Sequence, residues 1–478
     1  MPRQDYSSVR YKPKPGDKIF RIPRVKPWRV LLPVMPNTKN ATSSSLMLIY
    51  GFAAIIALGT VLLILPVSSK TGQFTSLINA FFTATSAVCV TGLVVADTAS
   101  HWSFWGQIVI LALIQIGGFG FMTSATLFLL AFGRRIGLKE KMLIGESMGI
   151  ARLGGLVKIV GLMAMFTVVL EIIGAAGFYL HFSNENPMGT SVLLSIFQSV
   201  SSFNNAGFDL SGNFQSLSNY QNDPLILLMT AALIILGGIS FFVVADLIKT
   251  RNLSRLSLDS KLVLSTTAWL LVVGMLVILL TEFNNNETLG NLSLPLKILN
   301  SFFLSVSART AGFSTISMNH LANYTLFFMM LLMFIGGASG STAGGIKVNN
   351  FSMLGATIWS TIRGREYPGA FGREFAIQQI HRALAVAFLS LGFVSVIVFL
   401  LTITEGFRFI DLLFETVSAF GTVGLSTNIT TSLSMWGRLI IILTMFVGRL
   451  GPLTLMLALV QRQKATDYRY PRETVRIG

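Results

Sequence analysis

Four glycines, Gly92, Gly207, Gly312 and Gly424, close four related phrases along this chain, spaced 115, 105 and 112 residues apart. The phrases read FFTATSAVCVTGL from Phe81 to Leu93, IFQSVSSFNNAGF from Ile196 to Phe208, FFLSVSARTAGF from Phe302 to Phe313 and LFETVSAFGTVGL from Leu413 to Leu425. Each pairs an aromatic start and a Ser-rich centre with a glycine before a bulky apolar residue, and the third is one residue shorter. The chemistry such a set offers is cation binding by backbone. The C-terminal end of a helix carries roughly half a negative charge, so four short helices aimed at one centre attract a cation. A glycine just past each helix end turns carbonyl oxygens inward, because positive φ costs glycine little. Four loops then form rings of carbonyls that replace the water shell of an ion. Neutral carbonyls suit a dehydrated monovalent cation, and the nearby acids Asp97, Asp209 and Glu415 do not recur at one position as a calcium-style ring would. A lone glycine after a short helix is an ordinary C-cap; four in register carry the reading toward a pore.

A second mark follows each phrase: QIGGFG at Gln115, ILGGIS at Ile235, FIGGAS at Phe334 and FVGRLG at Phe446. Two marks recurring in one order divide the chain into four units. The third unit departs from the others at Gly336, Gly337, Ala338, Ser339, Gly340, Ser341, Thr342, Ala343, Gly344 and Gly345. Interior glycine costs a helix about 1 kcal/mol each, so this stretch reads as a broken helix lying across the pore below the filter as a gate. Close packing of small residues between helices is the alternative. The other units keep bulky Phe, Ile and Leu there. Arg449 stands where the other units have Gly118, Gly238 and Gly337. A charge at membrane depth costs about 2.5–3.5 kcal/mol on insertion scales and usually faces a wet interior. It is placed to raise the barrier for cations and to pair with the carbonyls of the gate, unless it snorkels to the cytoplasmic edge.

These residues need elements that hold them inside a membrane. The chain has 478 residues, 52% hydrophobic and 12% charged, and its mean hydropathy is +0.68. A soluble domain carries about 25% charged residues, so a soluble enzyme is excluded. Apolar runs at 46–66, 105–133, 155–181, 224–248, 262–281, 326–346, 384–404 and 436–460 are candidate spans. Between them, 76–88, 191–203, 297–308 and 410–420 are too short to cross about 30 Å of hydrocarbon and read as re-entrant half-helices. The expected fold is therefore an all-α integral membrane protein of four fused span–pore-helix–span repeats. About eight transmembrane helices and four half-helices surround one pore. The repeats are expected at 45–133, 134–248, 249–350 and 351–460, between tails 1–44 and 461–478.

On this map 30 of the 36 Lys and Arg fall on the face that holds both termini, which places the termini in the cytoplasm by the positive-inside rule. The formal charge of +16 is thus a topology signal and does not point to nucleic acid. The single cysteine, Cys89, and four scattered histidines give no metal-ligand spacing. No phosphate-binding loop is present, and Gly118-Phe119-Gly120 inside a span is no dinucleotide fingerprint, so the chain is expected to bind no cofactor of its own. A membrane-embedded lipid enzyme would need His, Asp or Glu clustered at one interface, and none is clustered.

The four phrases, with the glycine stretch in the third unit and the arginine in the fourth, resemble the Trk/Ktr/HKT superfamily of potassium transporters over about residues 45–460. The likeness is greatest to the membrane subunits of bacterial Ktr systems. The resemblance implies potassium uptake across the bacterial inner membrane, with potassium held at the filter carbonyls. Carried over by position, the filter is Val90, Thr91 and Gly92, Asn205, Ala206 and Gly207, Thr310, Ala311 and Gly312, and Thr422, Val423 and Gly424. It further implies residues 336–345 and Arg449 as the gate, a homodimer with one pore per subunit, and sodium stimulation. Control would come from a cytosolic ring of nucleotide-binding regulatory subunits docked on the basic loops. All four filter glycines favour potassium over sodium, while the shorter third phrase leaves its carbonyl register open. The competing transport readings are a sodium-permeable or proton-coupled symporter and the potassium-binding subunit of a pump.

Overall fold

In the computed structural model, residues 42–120, 123–124 and 156–451 are described, and all belong to a unit that begins at Thr42. The expectations for the N-terminal tail before residue 42, the loop from 134 to 155 and the C-terminal tail lie outside these residues.

Helices fall in four successive groups of long helix, short helix, glycine loop and second helix. The first holds α1 (Thr42–Ile64), α2 (Leu77–Val88) and α3 (Phe104–Phe119). The second holds α4 (Leu156–Phe182), α5 (Met188–Phe203), α6 (Pro224–Gly238) and α7 (Phe241–Thr250). The third holds α8 (Leu258–Glu282), α9 (Leu294–Ser307), α10 (Asn323–Phe334) and α11 (Val348–Ile362). The fourth follows a short antiparallel hairpin of β1 (Gly369–Ala370) and β2 (Arg373–Glu374), and holds α12 (Ile377–Thr404), α13 (Phe409–Gly421) and α14 (Met435–Leu450).

Burial runs opposite to that of a water-soluble bundle. The long helices expose large apolar side chains, among them Leu162, Met165, Ile172 and Ile173 on α4, Trp269, Val272 and Leu280 on α8, and Phe388, Phe399 and Ile403 on α12. Such contiguous apolar surface fits hydrocarbon as its solvent. The short helices α2, α5, α9 and α13, of 12, 16, 14 and 13 residues, lie inside, and their C-terminal halves bury serines and threonines beside phenylalanines such as Phe82, Phe197, Phe303 and Phe414. Each short helix packs on the first helix of its own group, and α2, α5 and α13 pack on the second helix as well. Each second helix also packs on the short helix of the next group: α3 on α5, α6 on α9, α10 on α13, and α14 back on α2. That cyclic pattern closes a ring around one axis.

Local sequence explains where the second helices start. Ser103 and Ser434 cap α3 and α14 by accepting from Gly106 N at 3.2 Å and Gly437 N at 3.1 Å. Asp223 caps α6 with Pro224 at the first helical position. The third group has Ala322 at that place, and Glu282 reaches from α8 to replace the cap, accepting from Ala322 N at 3.1 Å and from the Thr325 hydroxyl at 2.5 Å.

The end of the second helices is a correction to the sequence analysis, which expected a break only in the third unit. Among the described residues the second helix ends at the shared mark in all four, so only α4, α8 and α12 are uninterrupted helices long and apolar enough to span. α3 stops before Gly120 at φ +76°, α14 stops before Gly451 at φ +84°, and α6 turns by 92° into α7. Close packing is the cause. A Cβ on Gly117, Gly237 or Gly448 would stand 2.1, 1.8 or 2.1 Å from the carbonyl oxygens of Val88, Phe203 or Phe420, at the end of the short helix. The mark lets a second helix back onto the short helix and then turn away. The rest of the 105–133 and 436–460 runs lies outside the described residues.

Candidate ion pathway

Each short helix ends in the same backbone sequence of conformations. Val90, Asn205, Thr310 and Thr422 are left-handed, at φ +56°, +59°, +73° and +49°, and two residues on Gly92, Gly207, Gly312 and Gly424 are at +89°, +70°, +80° and +96°. A left-handed conformation costs an L-residue about 1–2 kcal/mol, and Val90 is β-branched, for which it is an outlier. Strain repeated at four equivalent positions marks a site the fold holds in place.

The third phrase keeps this register. Its missing residue falls between the buried serine and the left-handed residue, since Ser307 precedes Thr310 by three residues whereas Ser86, Ser201 and Ser418 precede Val90, Asn205 and Thr422 by four. The backbone follows suit. Thr91 N, Ala206 N and Val423 N donate to Ser86 O, Ser201 O and Ser418 O at 2.8 Å each, and Ala311 N donates to Ser307 O at 2.9 Å.

The four glycines meet in cyclic order. A Cβ on Gly92 would lie 2.5 Å from Ala206 O, on Gly207 2.9 Å from Ala311 O, on Gly312 2.4 Å from Val423 O, and on Gly424 2.3 Å from Thr91 O. Each glycine thus faces the carbonyl just before the glycine of the next unit, and Thr91 O returns the sequence to its start. The residues singled out in the sequence, Val90 to Gly92, Asn205 to Gly207, Thr310 to Gly312 and Thr422 to Gly424, come together at this one place, all buried except the half-buried Gly424. Four serines brace the ring from behind. Ser86 Oγ and Ser418 Oγ accept from Gly92 N and Gly424 N at 3.1 Å, while Ser201 Oγ and Ser307 Oγ donate to Phe208 O and Phe313 O. The buried hydroxyls of Thr91, Thr310 and Thr422 have no partner in the structure.

On one side the ring opens into a cavity of ≈ 370 Å³ lined by all four glycines, with Asp97 and Asp209 in its wall. Asp97 Oδ1 accepts from Phe214 N at 3.2 Å, joining the first two units, and Asp209 Oδ1 accepts from Ser211 N at 2.9 Å. Burial, joined by repulsion from Asp97, pushes the Asp209 carboxyl up to about 6. Glu415, buried behind the fourth loop, holds Ser426 and Thr430 of the same wall.

On the other side lies the non-helical stretch 336–345 between α10 and α11. Its own hydrogen bonds tie it to its own unit and to the second. Gly336 N donates to Ile346 O at 2.9 Å, Ala338 N to Gly238 O at 3.0 Å, and the Thr342 hydroxyl to Gly237 O at 3.0 Å. A Cβ on Gly344 would meet Thr422 Oγ1 at 2.0 Å, and one on Gly336 would meet Thr310 Cγ2 at 3.3 Å, so the stretch presses against the ring itself. The Arg449 guanidinium donates to Thr342 O in this stretch and to Gly117 O at the end of α3, bridging it to the first unit. Sequence reasoning missed Lys347, whose ammonium donates to Ala343 O, the carbonyl next to the one that Arg449 takes. Its signal was its place two residues past Gly345, the last small residue of the stretch. The partner of Glu171, not identifiable from sequence, is an amide pair: Asn204 Nδ2 donates to Glu171 Oε1 at 3.0 Å and Gln115 Nε2 to Glu171 Oε2 at 3.3 Å.

A ring of four convergent backbone loops, inside a helical protein with an apolar perimeter, defines a membrane cation transporter. The chain belongs to the TrkH family, cation transport proteins, whose pattern it matches over residues 34–467. It is 40% identical over 428 residues to Ktr system potassium uptake protein B of Bacillus subtilis, covering 90% of this chain and 95% of that one. It is 38% identical over 436 residues to potassium/sodium uptake protein NtpJ of Enterococcus hirae, covering 90% and 96%. The crystal structure of the potassium transporter TrkH from Vibrio parahaemolyticus shares the fold, with a TM-score of 0.68 at 17% identity over 89% of this chain and 86% of that one.

Proposed function

We propose that this chain takes up potassium through a filter made by the carbonyls of Val90 to Gly92, Asn205 to Gly207, Thr310 to Gly312 and Thr422 to Gly424. The observation that carries the reading is the cyclic meeting of four glycines, each against the carbonyl that precedes the next. Stripped of water, potassium would be coordinated by these carbonyls and by the unpartnered hydroxyls of Thr91, Thr310 and Thr422. Residues 336–345, held by Arg449, block the path below the filter and must move for flux. The architecture is eight membrane spans and four re-entrant half-helices in four repeats, seated in the bacterial inner membrane with both termini cytoplasmic. The working unit is a homodimer with one pore per subunit. A cytosolic ring of nucleotide-binding regulatory subunits controls the gate through the basic loops, and sodium stimulates transport. The wide cavity with Asp97 and Asp209 is the outer mouth, where negative charge concentrates cations. A second reading, flux of both sodium and potassium, is favoured by the name of the Enterococcus relative.

Rubidium flux into liposomes holding only this chain, with sodium as competitor, tests the proposal in wild type and Gly312→Ser. A side chain on Gly312 meets Val423 O at 2.4 Å and the Cα atoms of Gly207 and Gly424 at 3.1 Å, so it must widen the ring. Discrimination against sodium is expected to fall about tenfold, equivalent to roughly 1.4 kcal/mol. Flux with unchanged selectivity would remove Gly312 from the filter.

A further inference from the structure

Arg309 is the one guanidinium in the third filter phrase, immediately before the left-handed Thr310. It is 8% exposed, its Nε has no hydrogen-bond partner, and among the described residues its one side-chain hydrogen bond is long, Nη2 to Thr267 Oγ1 at 3.4 Å. Among the described residues no carboxylate stands within ion-pairing distance of it. Arginine keeps its proton in any protein setting, so a full positive charge is buried here without a counter-charge, where burial of an unpaired ion is strongly unfavourable. Beside it is a cavity of ≈ 20 Å³, lined by Arg309, Thr267 and Asn205 and otherwise by apolar residues and glycine, Leu271 and Val306 among them. That volume admits one water-sized occupant and no polyatomic anion.

The second unit shows what the third lacks. Gly174 of α4 and Gly274 of α8 are counterparts, because a Cβ on either would meet a serine of the neighbouring short helix, Ser199 Oγ at 2.4 Å and Ser305 Oγ at 2.2 Å. The same serines donate to Glu171 O at 2.7 Å and to Leu271 O at 2.9 Å, three residues earlier in each helix. Leu271 therefore occupies the place of Glu171. Asn204 and Arg309 correspond likewise, each preceding the left-handed residue of its loop. The second unit sets a carboxylate against a neutral amide, whereas the third sets a leucine and a cavity against a cation.

We infer that the cavity beside Arg309 binds a single monatomic anion of halide size, chloride under ordinary conditions, held by the Arg309 guanidinium and the Thr267 hydroxyl. The anion takes the place that the Glu171 side chain holds in the second unit, and it supplies the counter-charge that the Arg309 guanidinium, unlike the neutral amide of Asn204, requires. The inference does not depend on what the chain transports.

The test uses purified full-length protein in detergent and in crystals. Thermal melting of wild type in chloride should exceed that in gluconate by about 3 °C, as expected for a ligand bound only by the folded state. Crystals grown in bromide should show an anomalous peak beside Arg309. Leu271→Glu places a carboxylate where Glu171 stands in the second unit, so this variant should lose both the chloride response and the bromide peak while it still folds. Arg309→Gln, where it folds, should lose them too. Melting of wild type that is equal in chloride and gluconate, or a cavity with no bromide, would overturn the proposal and leave water as the occupant. A chloride response that survives Leu271→Glu unchanged would place the anion elsewhere and overturn it equally.

Discussion

At the scale of single residues, the mouth and the ring follow different rules. Val90, Asn205, Thr310 and Thr422 share a backbone conformation although their side chains are of three types. In the proposed function the ring acts chiefly through its carbonyls and the mouth through charge. With its carboxyl at about 6, Asp209 is ionised above that pH and neutral below it. Only the ionised form draws cations toward the ring, so uptake should be highest above pH 6 and fall as outside pH drops through it. A unit charge near 4 Å is worth about 1 kcal/mol in water, which corresponds to about a fivefold rise in the half-saturating rubidium concentration. Asp209→Asn should show the weaker affinity at pH 8 and lose the pH dependence between 5 and 8. A wild-type profile flat over that range would remove Asp209 from the ion's approach. Ser201, Ser307 and Ser418 satisfy buried backbone behind the ring. Thr91, Thr310 and Thr422 have unpartnered hydroxyls instead, a difference of side-chain direction that residue type does not encode.

At the scale of elements, the stretch 336–345 differs from a helix in where its hydrogen bonds go. Its backbone bonds reach to Gly237, Gly238 and Ile346, and its carbonyls at Thr342 and Ala343 are taken by Arg449 and Lys347. In the proposed gate, Arg449 and Lys347 therefore hold the same loop by adjacent carbonyls. Hydrogen bonds from charged donors contribute about 1.5–3 kcal/mol. Arg449→Gln removes the charge and the second donor arm, and should raise rubidium flux per protein about tenfold. Lys347→Gln should act in the same direction, and the double variant should show less than the sum, since the two residues share one loop. Flux that falls in Arg449→Gln would mean the arginine holds the path open. The helices themselves were legible because apolar runs and their lengths follow directly from the solvent they face, and α2, α5, α9 and α13 lie within a few residues of the expected short segments. The breaks in the first, second and fourth units were not, because Phe119, Ile239 and Leu450 are each compatible with a helix. What ends those helices is the contact of a glycine with another helix's carbonyl, a tertiary cause whose sequence trace was the shared Gly-Gly or Gly-Arg mark.

At the scale of the whole molecule, four units in sequence become a ring only if the fourth meets the first, and periodicity along the chain does not say that it will. The structure closes the ring by packing α14 on α2, in the way that α3 meets α5, α6 meets α9 and α10 meets α13. Side-chain hydrogen bonds cross these seams. Asn204 Nδ2 donates to Gln115 Oε1 at 2.9 Å between the first two units, and Asn300 Nδ2 to Gln221 O at 2.9 Å between the next two. At the closing seam Arg438 Nη1 donates to Asn79 Oδ1 at 2.8 Å across 359 residues of chain, while Nη2 of the same guanidinium donates to Thr431 O at 2.9 Å. Joining the ends of so long a loop costs entropy that grows with the logarithm of its length, so the last seam bears a cost the other three share with their short connections. Arg438 is thus expected to matter more for closure than an exposed pair would, because its second arm fixes the side chain before Asn79 is met. A double-mutant cycle of Arg438→Gln and Asn79→Ala, read by thermal melting in detergent, should give a coupling of about 1–2 kcal/mol. The paired losses should appear together in the potassium-to-sodium flux ratio, since α2 carries the first glycine of the ring and α14 sets its distance from the fourth. Additive losses in melting, with no coupling, would mean that the ring is closed by the apolar packing of α2 and α14 alone.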